Sequence, residues 1–348
     1  MPVPRSLRPW LLLLALAAGV SVAFTLAHLP TPLLFGGLVG ALVYAVTRPT
    51  VPLRLPDRWF TTGQAVVGVL VGASVDWGSL RSLGVSWLVV ALVSCFSLVV
   101  SVLAGQLLMR HGVSRVTATF ASIAGGAAGL TAVSDELGAD SRVVASLQYL
   151  RLLVVLVTMP LVATLVFDAR EDADPLDVAA HSLPTDLAFA LLAIVVGLVG
   201  GRLLRFPTPA ILGPLAAAAL LTLVPAFGDA QVPWVVAAVG YAVIGIQVGL
   251  KFTVASLRQI GRMLPTALLT IVTTLVSCAG LGWLLVALTD AEPLDAYLAT
   301  NPGGIYAVLG MSAATGGDVT FVAATQVLRL LIVLGSAPFV AAYLRRFE

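Results

Sequence analysis

The sequence predicts an all-α polytopic membrane protein: two homologous units in inverted topology, with about ten transmembrane helices and two broken or re-entrant segments. Hydropathy, an internal repeat and the placement of basic loops carry this prediction. Of 348 residues, 59% are hydrophobic and 10% charged, and mean hydropathy is +1.04. A soluble chain of this length has no core large enough to hide so much apolar surface, whereas a bilayer accepts it. Pro30-Thr31-Pro32 and Gly36 return as Pro207-Thr208-Pro209 and Gly213, 177 residues later. Gly63, Gly68 and Gly72 match Gly240, Gly245 and Gly249 at the same offset. After one added residue, Asp140, Gln148, Arg151 and Pro160 match Asp318, Gln326, Arg329 and Pro338. A near-constant offset over such a distance points to duplication and fusion, an architecture common among secondary transporters.

Each unit divides into six apolar segments. In the first, residues 1–167, they cover about 10–28, 32–47, 61–76, 84–109, 117–134 and 143–167. In the second, residues 187–348, they cover about 187–204, 209–225, 233–250, 263–289, 298–315 and 321–344, after the acidic linker 168–186. Arg5 and Arg8 before Trp10–Ala27 imitate a signal peptide. The equivalent run Leu187–Leu204 precedes the second Pro-Thr-Pro, so both are expected to be retained helices. The Pro-Thr-Pro motifs set helix starts, with Thr31 or Thr208 near the cap and proline in the first turn. Gly68/Gly72 and Gly245/Gly249 have the spacing that lets membrane helices approach closely.

Basic loops fix the orientation. With Arg5 and Arg8 inside, Arg48, Arg54 and Arg58 also fall inside, and Arg110 and Arg115 follow the fourth segment back to that face. In the second unit the pattern inverts: Arg202 and Arg205 follow the first segment, while Lys251, Arg258 and Arg262 follow the third. Inversion requires an odd number of crossings per unit, so the fifth segment of each is expected to re-enter. Both termini and loops 48–58 and 251–262 are then cytoplasmic, and linker 168–186 is external. The expected location is a bacterial cytoplasmic (inner) membrane.

Arg151 and Arg329 are the leading site candidates, because each sits in an apolar sixth segment, where a permanent charge must meet protein, water or an anion. A guanidinium fork suits carboxylate or phosphate. It can equally bind the carbonyls of a broken helix, so substrate-binding and structural readings both stand. Gln148 and Gln326 precede them by three residues and share their helix face. Gly125 and Gly126, with Asn301, Pro302, Gly303 and Gly304, are the points where the fifth segments can break and expose backbone to a ligand. Asp140 and Asp318 stand eleven residues before the arginines, about 16 Å along a helix, as helix caps or as coupling sites for a proton or cation. Cys95 and Cys278 read as buried, inert thiols. His28, His111 and His181 do not cluster, so neither a metal site nor a cofactor is expected, and a net charge of +2 gives nucleic acid no footprint.

The two halves together resemble the AbrB-type duplicated membrane proteins, a group often given the label ammonia monooxygenase. Gly125-Gly126, Gly138-Ala139-Asp140 and Gln148 to Arg151 carry the resemblance in the first half. In the second it rests on Asn301-Pro302-Gly303-Gly304, Gly317-Asp318, Phe321-Val322-Ala323 and Gln326 to Arg329. This chain departs from the pattern with Ala307-Val308 and Gly129-Leu130 where an acid and methionine are usual, and with Gln148 and Gln326 in place of histidine. The resemblance implies an integral membrane protein, connected in one bacterial member with regulation of gene expression; it is distinct from the soluble DNA-binding regulator of the same name. The chain is expected to be no enzyme. It is read as a secondary transporter or exporter of a small anionic or amino-acid-like solute, working by alternating access with H+ or Na+ as candidate coupling ions. The alternative is a membrane signalling or scaffold protein that regulates expression indirectly. Its partners are the lipid bilayer and the solute, with a homo-oligomer left open.

Overall fold

The structure, a computed structural model, describes residues 7–75, 86–123, 138–169, 183–206, 208–227, 230–251 and 261–344. All regular structure among them is helical. The helices are α1 (Leu7–Leu26), α2 (Pro32–Thr47), α3 (Asp57–Ala73), α4 (Ser86–Gly105, continued by a 3-10 turn Gln106–His111), α5 (Arg115–Ser122), α6 (Ser141–Phe167) and α7 (Leu183–Leu203). They continue as α8 (Pro209–Leu221), α9 (Trp234–Leu250), α10 (Leu264–Leu288), α11 (Pro293–Thr300), α12 (Ile305–Ala314) and α13 (Val319–Leu344). Gly125, Gly126, most of linker 168–186 and most of loop 251–262 lie outside the described residues.

Among the described residues, six helices are long and apolar enough to cross a bilayer: Leu7–Leu26, Trp87–His111, Ser141–Phe167, Leu183–Leu203, Leu264–Leu288 and Val319–Ser336. This is fewer than the ten expected from hydropathy. The physical reason is length: α2, α3, α8 and α9 have 16, 17, 13 and 17 residues. At about 1.5 Å per residue they fall short of a hydrocarbon layer about 30 Å thick. The long helices expose apolar faces, such as Leu88, Leu92 and Phe96 on α4 and Leu191, Val195 and Val199 on α7, as lipid-facing surfaces should. Cys95 is exposed on α4, against the expectation of burial, because its position falls on the outward stripe; Cys278 on α10 is buried as expected.

The chain forms two compact units, each drawing on both sequence halves. The first comprises Met1–Asp76, Pro160–Val254 and Leu309–Val319. Within it α2 packs on α1 and α9, and α8 packs on α7 and α3. Glycine sets these distances: a Cβ on Gly68 would lie 2.5 Å from the Ile211 carbonyl oxygen, and one on Gly245 would fall onto the Leu34 carbonyl oxygen. Gly72 and Gly249 face Leu215 and Leu38 in the same way. The GxxxG pairs are therefore spent inside one chain. Gly36 and Gly40 likewise admit the backbone of α1 at Ser21 and Ala17, so α1 is packed into the unit.

Helix ends repeat the pattern. α1 closes with His28 at φ 52 and Leu29 N–H on the Phe24 carbonyl, and α7 closes with Arg205 at φ 54 and Phe206 N–H on the Gly201 carbonyl. These are left-handed C-caps at positions where glycine is usual. Thr31 and Thr208 are N-caps and Pro32 and Pro209 open their helices, as the motif predicts. Their hydroxyls do not cap, however, and both Oγ1 atoms are buried without a partner.

Because carbonyl oxygens cannot retreat as a flexible side chain can, Gly68→Ala and Gly245→Ala should each cost about 1–3 kcal/mol and lower the apparent Tm of purified protein by several degrees. Gly280→Ala on α10, where an added Cβ meets nothing within 4 Å, should leave Tm nearly unchanged.

Candidate functional site

The second compact unit comprises Trp77–Met159, Ala255–Val308 and Thr320–Glu348. In it α10 packs on α4 and α11, and α5 packs on α4. Its distinctive feature is two short helices that stop inside an apolar interior. α11 ends at Thr300; Asn301 is extended at φ −65 and ψ 132; and Gly304, at φ +86, starts α12 by accepting from Ala307 and Val308 N–H. Asn-Pro-Gly-Gly accounts for this break: proline supplies no N–H, and only glycine takes the left-handed step without strain. α5 ends in the same way at Ser122, with Ile123 at φ −57 and ψ 124.

A helix that ends there leaves carbonyls without partners, each costly to bury unmet. The sixth segments supply the partners. On α6, Gln148 Nε2 donates to the carbonyls of Phe120 at 2.6 Å and Ile123 at 3.0 Å, and Arg151 Nη1 donates to those of Ile123 at 2.7 Å and Ser122 at 3.4 Å. On α13, Gln326 Nε2 donates to Leu298, Ala299 and Asn301 at 3.0 Å, and Arg329 Nη1 donates to Thr300 at 3.0 Å and Asn301 at 3.1 Å. Ser122 and Thr300 hydroxyls turn back onto their own helices, at Ala118 and Thr119 and at Ala296 and Tyr297. The helix dipole adds to these bonds, since its negative end faces a cation.

All four side chains are buried: Gln148 is 0% exposed, Gln326 7%, Arg151 4% and Arg329 3%. The spacing that put them on one helix face therefore does bring each Gln–Arg pair onto one helix end. Among the described residues neither guanidinium meets a carboxylate, and their donors are not used alike. Arg151 Nη2 donates to Gln148 Oε1 at 2.6 Å, leaving Nε unpaired, whereas Arg329 leaves both Nε and Nη2 unpaired. The two charges act on each other, and both act on the buried Cys278 thiol of α10. Sequence reading treated that thiol as inert, and nothing in the apolar run around it signals the neighbourhood.

The glycines of the second break are tightly held. A Cβ on Gly303 would come within 2.7 Å of Val155, and one on Gly304 within 3.1 Å of Leu152, both on α6. Asn301, 2% exposed, has neither side-chain polar atom in a well-formed hydrogen bond, although the Tyr297 hydroxyl interacts with it. Asp140 lies away from this centre and caps α6: its Oδ1 accepts from Arg142 N–H at 2.9 Å and Val143 N–H at 3.3 Å. Its own N–H donates to Thr117 Oγ1 at 3.0 Å, tying the start of α6 to the start of α5. Asp318 directly precedes α13, after Gly316 at φ 69, as Asp140 follows Gly138 at φ 81. Among the described residues no three His, Cys, Asp or Glu converge as a metal site.

These features define a multi-pass helical protein of the membrane type, with two interrupted helices whose ends are held by buried Gln–Arg pairs. The chain belongs to the AbrB family: residues 33–345 match the family described as "Transition state regulatory protein AbrB". It is 32% identical over 340 residues to "Putative regulator AbrB" of Escherichia coli (strain K12), covering 97% of each chain. It is 25% identical over 355 residues to "Uncharacterized protein YhjN" of Bacillus subtilis (strain 168), covering 94% of this chain and 91% of that one.

Replacing Gln148 or Gln326 by leucine would leave the Phe120 or the Ala299 carbonyl without a donor, while the other carbonyls each keep a second one. At about 1–3 kcal/mol for a buried group left unmet, either substitution should destabilise the protein by that amount. Asp140→Ala removes a helix cap and should cost about 1 kcal/mol. Thermal or denaturant unfolding in detergent should return that order.

Proposed function

We propose that the chain is a secondary transporter or exporter of a small solute, working by alternating access, with the polar centre around Arg151, Arg329, Gln148 and Gln326 as its binding region. The observation that carries this reading is a pair of buried guanidiniums that meet no carboxylate among the described residues, one of them with two donors unspent there. A purely structural cap has no need of more donors than the helix end can use, and an unpaired charge in an apolar interior costs several kcal/mol. A small anion arriving from water would offset that cost. Asp140 and Asp318 remain coupling candidates, with a proton or Na+ as the ion.

The proposed topology is the inverted duplication with ten crossings, both termini cytoplasmic, in the bacterial inner membrane. It is supported by the swapped basic loops and by bonds that recur at fixed offsets, such as Gln148 on Ile123 and Gln326 on Asn301. The helices of 13–17 residues cross if flanking turns extend them or if the bilayer thins locally. A second reading, a membrane protein acting indirectly on gene expression, is favoured by the word "regulator" in the description of the Escherichia coli relative.

Single cysteines placed in loop 48–58 and in loop 251–262 should resist impermeant maleimide in intact cells, while one in 168–186 should react. Reaction of 168–186 only after the membrane is opened contradicts inversion. For transport, purified protein is screened by thermal shift against organic anions, amino acids and amines, and solutes that stabilise it are tested for flux in proteoliposomes. Arg151→Ala and Arg329→Ala should abolish flux in protein that still folds. Stabilisation without flux of any bound solute would favour the regulatory reading.

A further inference from the structure

The two Gln–Arg pairs hold equivalent helix ends but spend their donors differently, and the difference has a chemical direction. In a guanidinium, Nε–H and the Nη2–H beside it form one straight edge with two parallel donors, the edge that takes a carboxylate side-on. Around Arg151 that edge is partly filled by the Gln148 side-chain oxygen at 2.6 Å. Around Arg329 that edge meets none of the described residues: of its donors only Nη1 holds the helix end, and among the described residues both Nε and Nη2 are buried without a partner. Beside it the Asn301 amide is also buried without a well-formed bond, on the residue whose carbonyl Arg329 already holds at 3.1 Å. The first turn of α12 follows three residues later at Gly304, with the positive end of its dipole facing the break.

We propose that the Nε/Nη2 edge of Arg329 is the docking point for the carboxylate of a small organic monoanion, with Asn301 Nδ2 as a further donor, while Arg151 chiefly positions the first helix end. The rest of the solute is small and largely apolar, because Leu152, Val155, Val308 and the Tyr306 ring stand against Gly303 and Gly304. A monoanion fits better than phosphate, since a second negative charge would have to be desolvated in the same apolar surroundings. The site is thus asymmetric although the repeat is not. The inference rests on the transport reading for its physiological meaning, but binding is measured independently of flux.

The test uses the purified full-length protein and paired probes: acetate against acetamide and benzoate against benzamide, at constant ionic strength set with chloride. The carboxylate of each pair should raise Tm in a saturable way and its amide should not; equal effects, or none from any carboxylate, would overturn the proposal. Arg329→Lys keeps the charge but loses the planar edge, and should weaken carboxylate binding at least about tenfold. Arg151→Lys should weaken it several-fold less; an equal or larger loss there contradicts the asymmetry. Should Arg329→Lys fail to fold, Asn301→Ala serves in its place, with a loss of about three- to tenfold expected and unchanged affinity counting against the site. A carboxylate bound but not moved in proteoliposomes leaves this inference standing and removes transport. Flux of an amine or neutral solute without carboxylate binding does the reverse.

Discussion

Everything in the second compact unit depends on how two helices are allowed to end where there is no water. A broken helix in an apolar interior leaves carbonyls that must be met, and in hydrocarbon each unmet group costs several kcal/mol. Gln148 with Arg151, and Gln326 with Arg329, meet them from the neighbouring long helices. Glutamine alone would supply two N–H donors; arginine adds a fork and a charge that the negative end of the helix dipole favours. The arrangement is costly, because each guanidinium is buried without a counter-charge among the described residues. It persists because the arginine bonds to the helix ends are charge-assisted and the glutamine bonds meet carbonyls such as Phe120 and Ala299 that have no other donor among the described residues.

The first compact unit solves a different problem with different residues. Four of its helices, α2, α3, α8 and α9, are short, and they approach closely enough that backbone meets backbone, so Gly68, Gly72, Gly245 and Gly249 cannot carry side chains without displacing a neighbour. Rigid packing there and polar capping in the other unit divide the labour between the two. In one, small residues hold helices together; in the other, Gln148, Arg151, Gln326 and Arg329 are buried around helix ends. The proposed binding region lies in the second, where donors are left unspent among the described residues.

Much of this was legible in the residues. Asn301-Pro302-Gly303-Gly304 announced a break, and the break is there, with Gly304 in the left-handed region. Gln and Arg three apart announced one polar face, and each pair shares one target. Pro-Thr-Pro marked two helix starts to the residue, though not the idle threonine hydroxyls, because local backbone geometry decides whether an Oγ can reach an N–H. Three things were hidden. The partners of the arginines are main-chain carbonyls of residues 120–123 and 298–301, which carry no signature in residue identity. The start of α3 at Asp57, directly after Pro56, lies ahead of the apolar run at 61 and carries no hydropathy signal. The unequal use of Arg151 and Arg329 turns on whether a glutamine oxygen points at its arginine, which identical motifs leave undetermined. Cys95 was misread because an apolar run has an outward face as well as an inward one.

The central claim is that arginine is divided between backbone and ligand, with Nη1 of Arg329 on the end of α11 and its other edge open. Solid-state NMR of lipid-reconstituted protein reads this directly, using 15N-labelled arginine, 13C-labelled backbone carbonyls and 13C-carboxyl acetate. The account predicts strong couplings from Arg329 Nη1 to the carbonyls of Thr300 and Asn301, and couplings from Nε and Nη2 to the added carboxylate. Arg151 should couple to Ser122 and Ile123 and more weakly to acetate. Acetate coupled to Nη1, with the contacts to 300 and 301 absent, would contradict it.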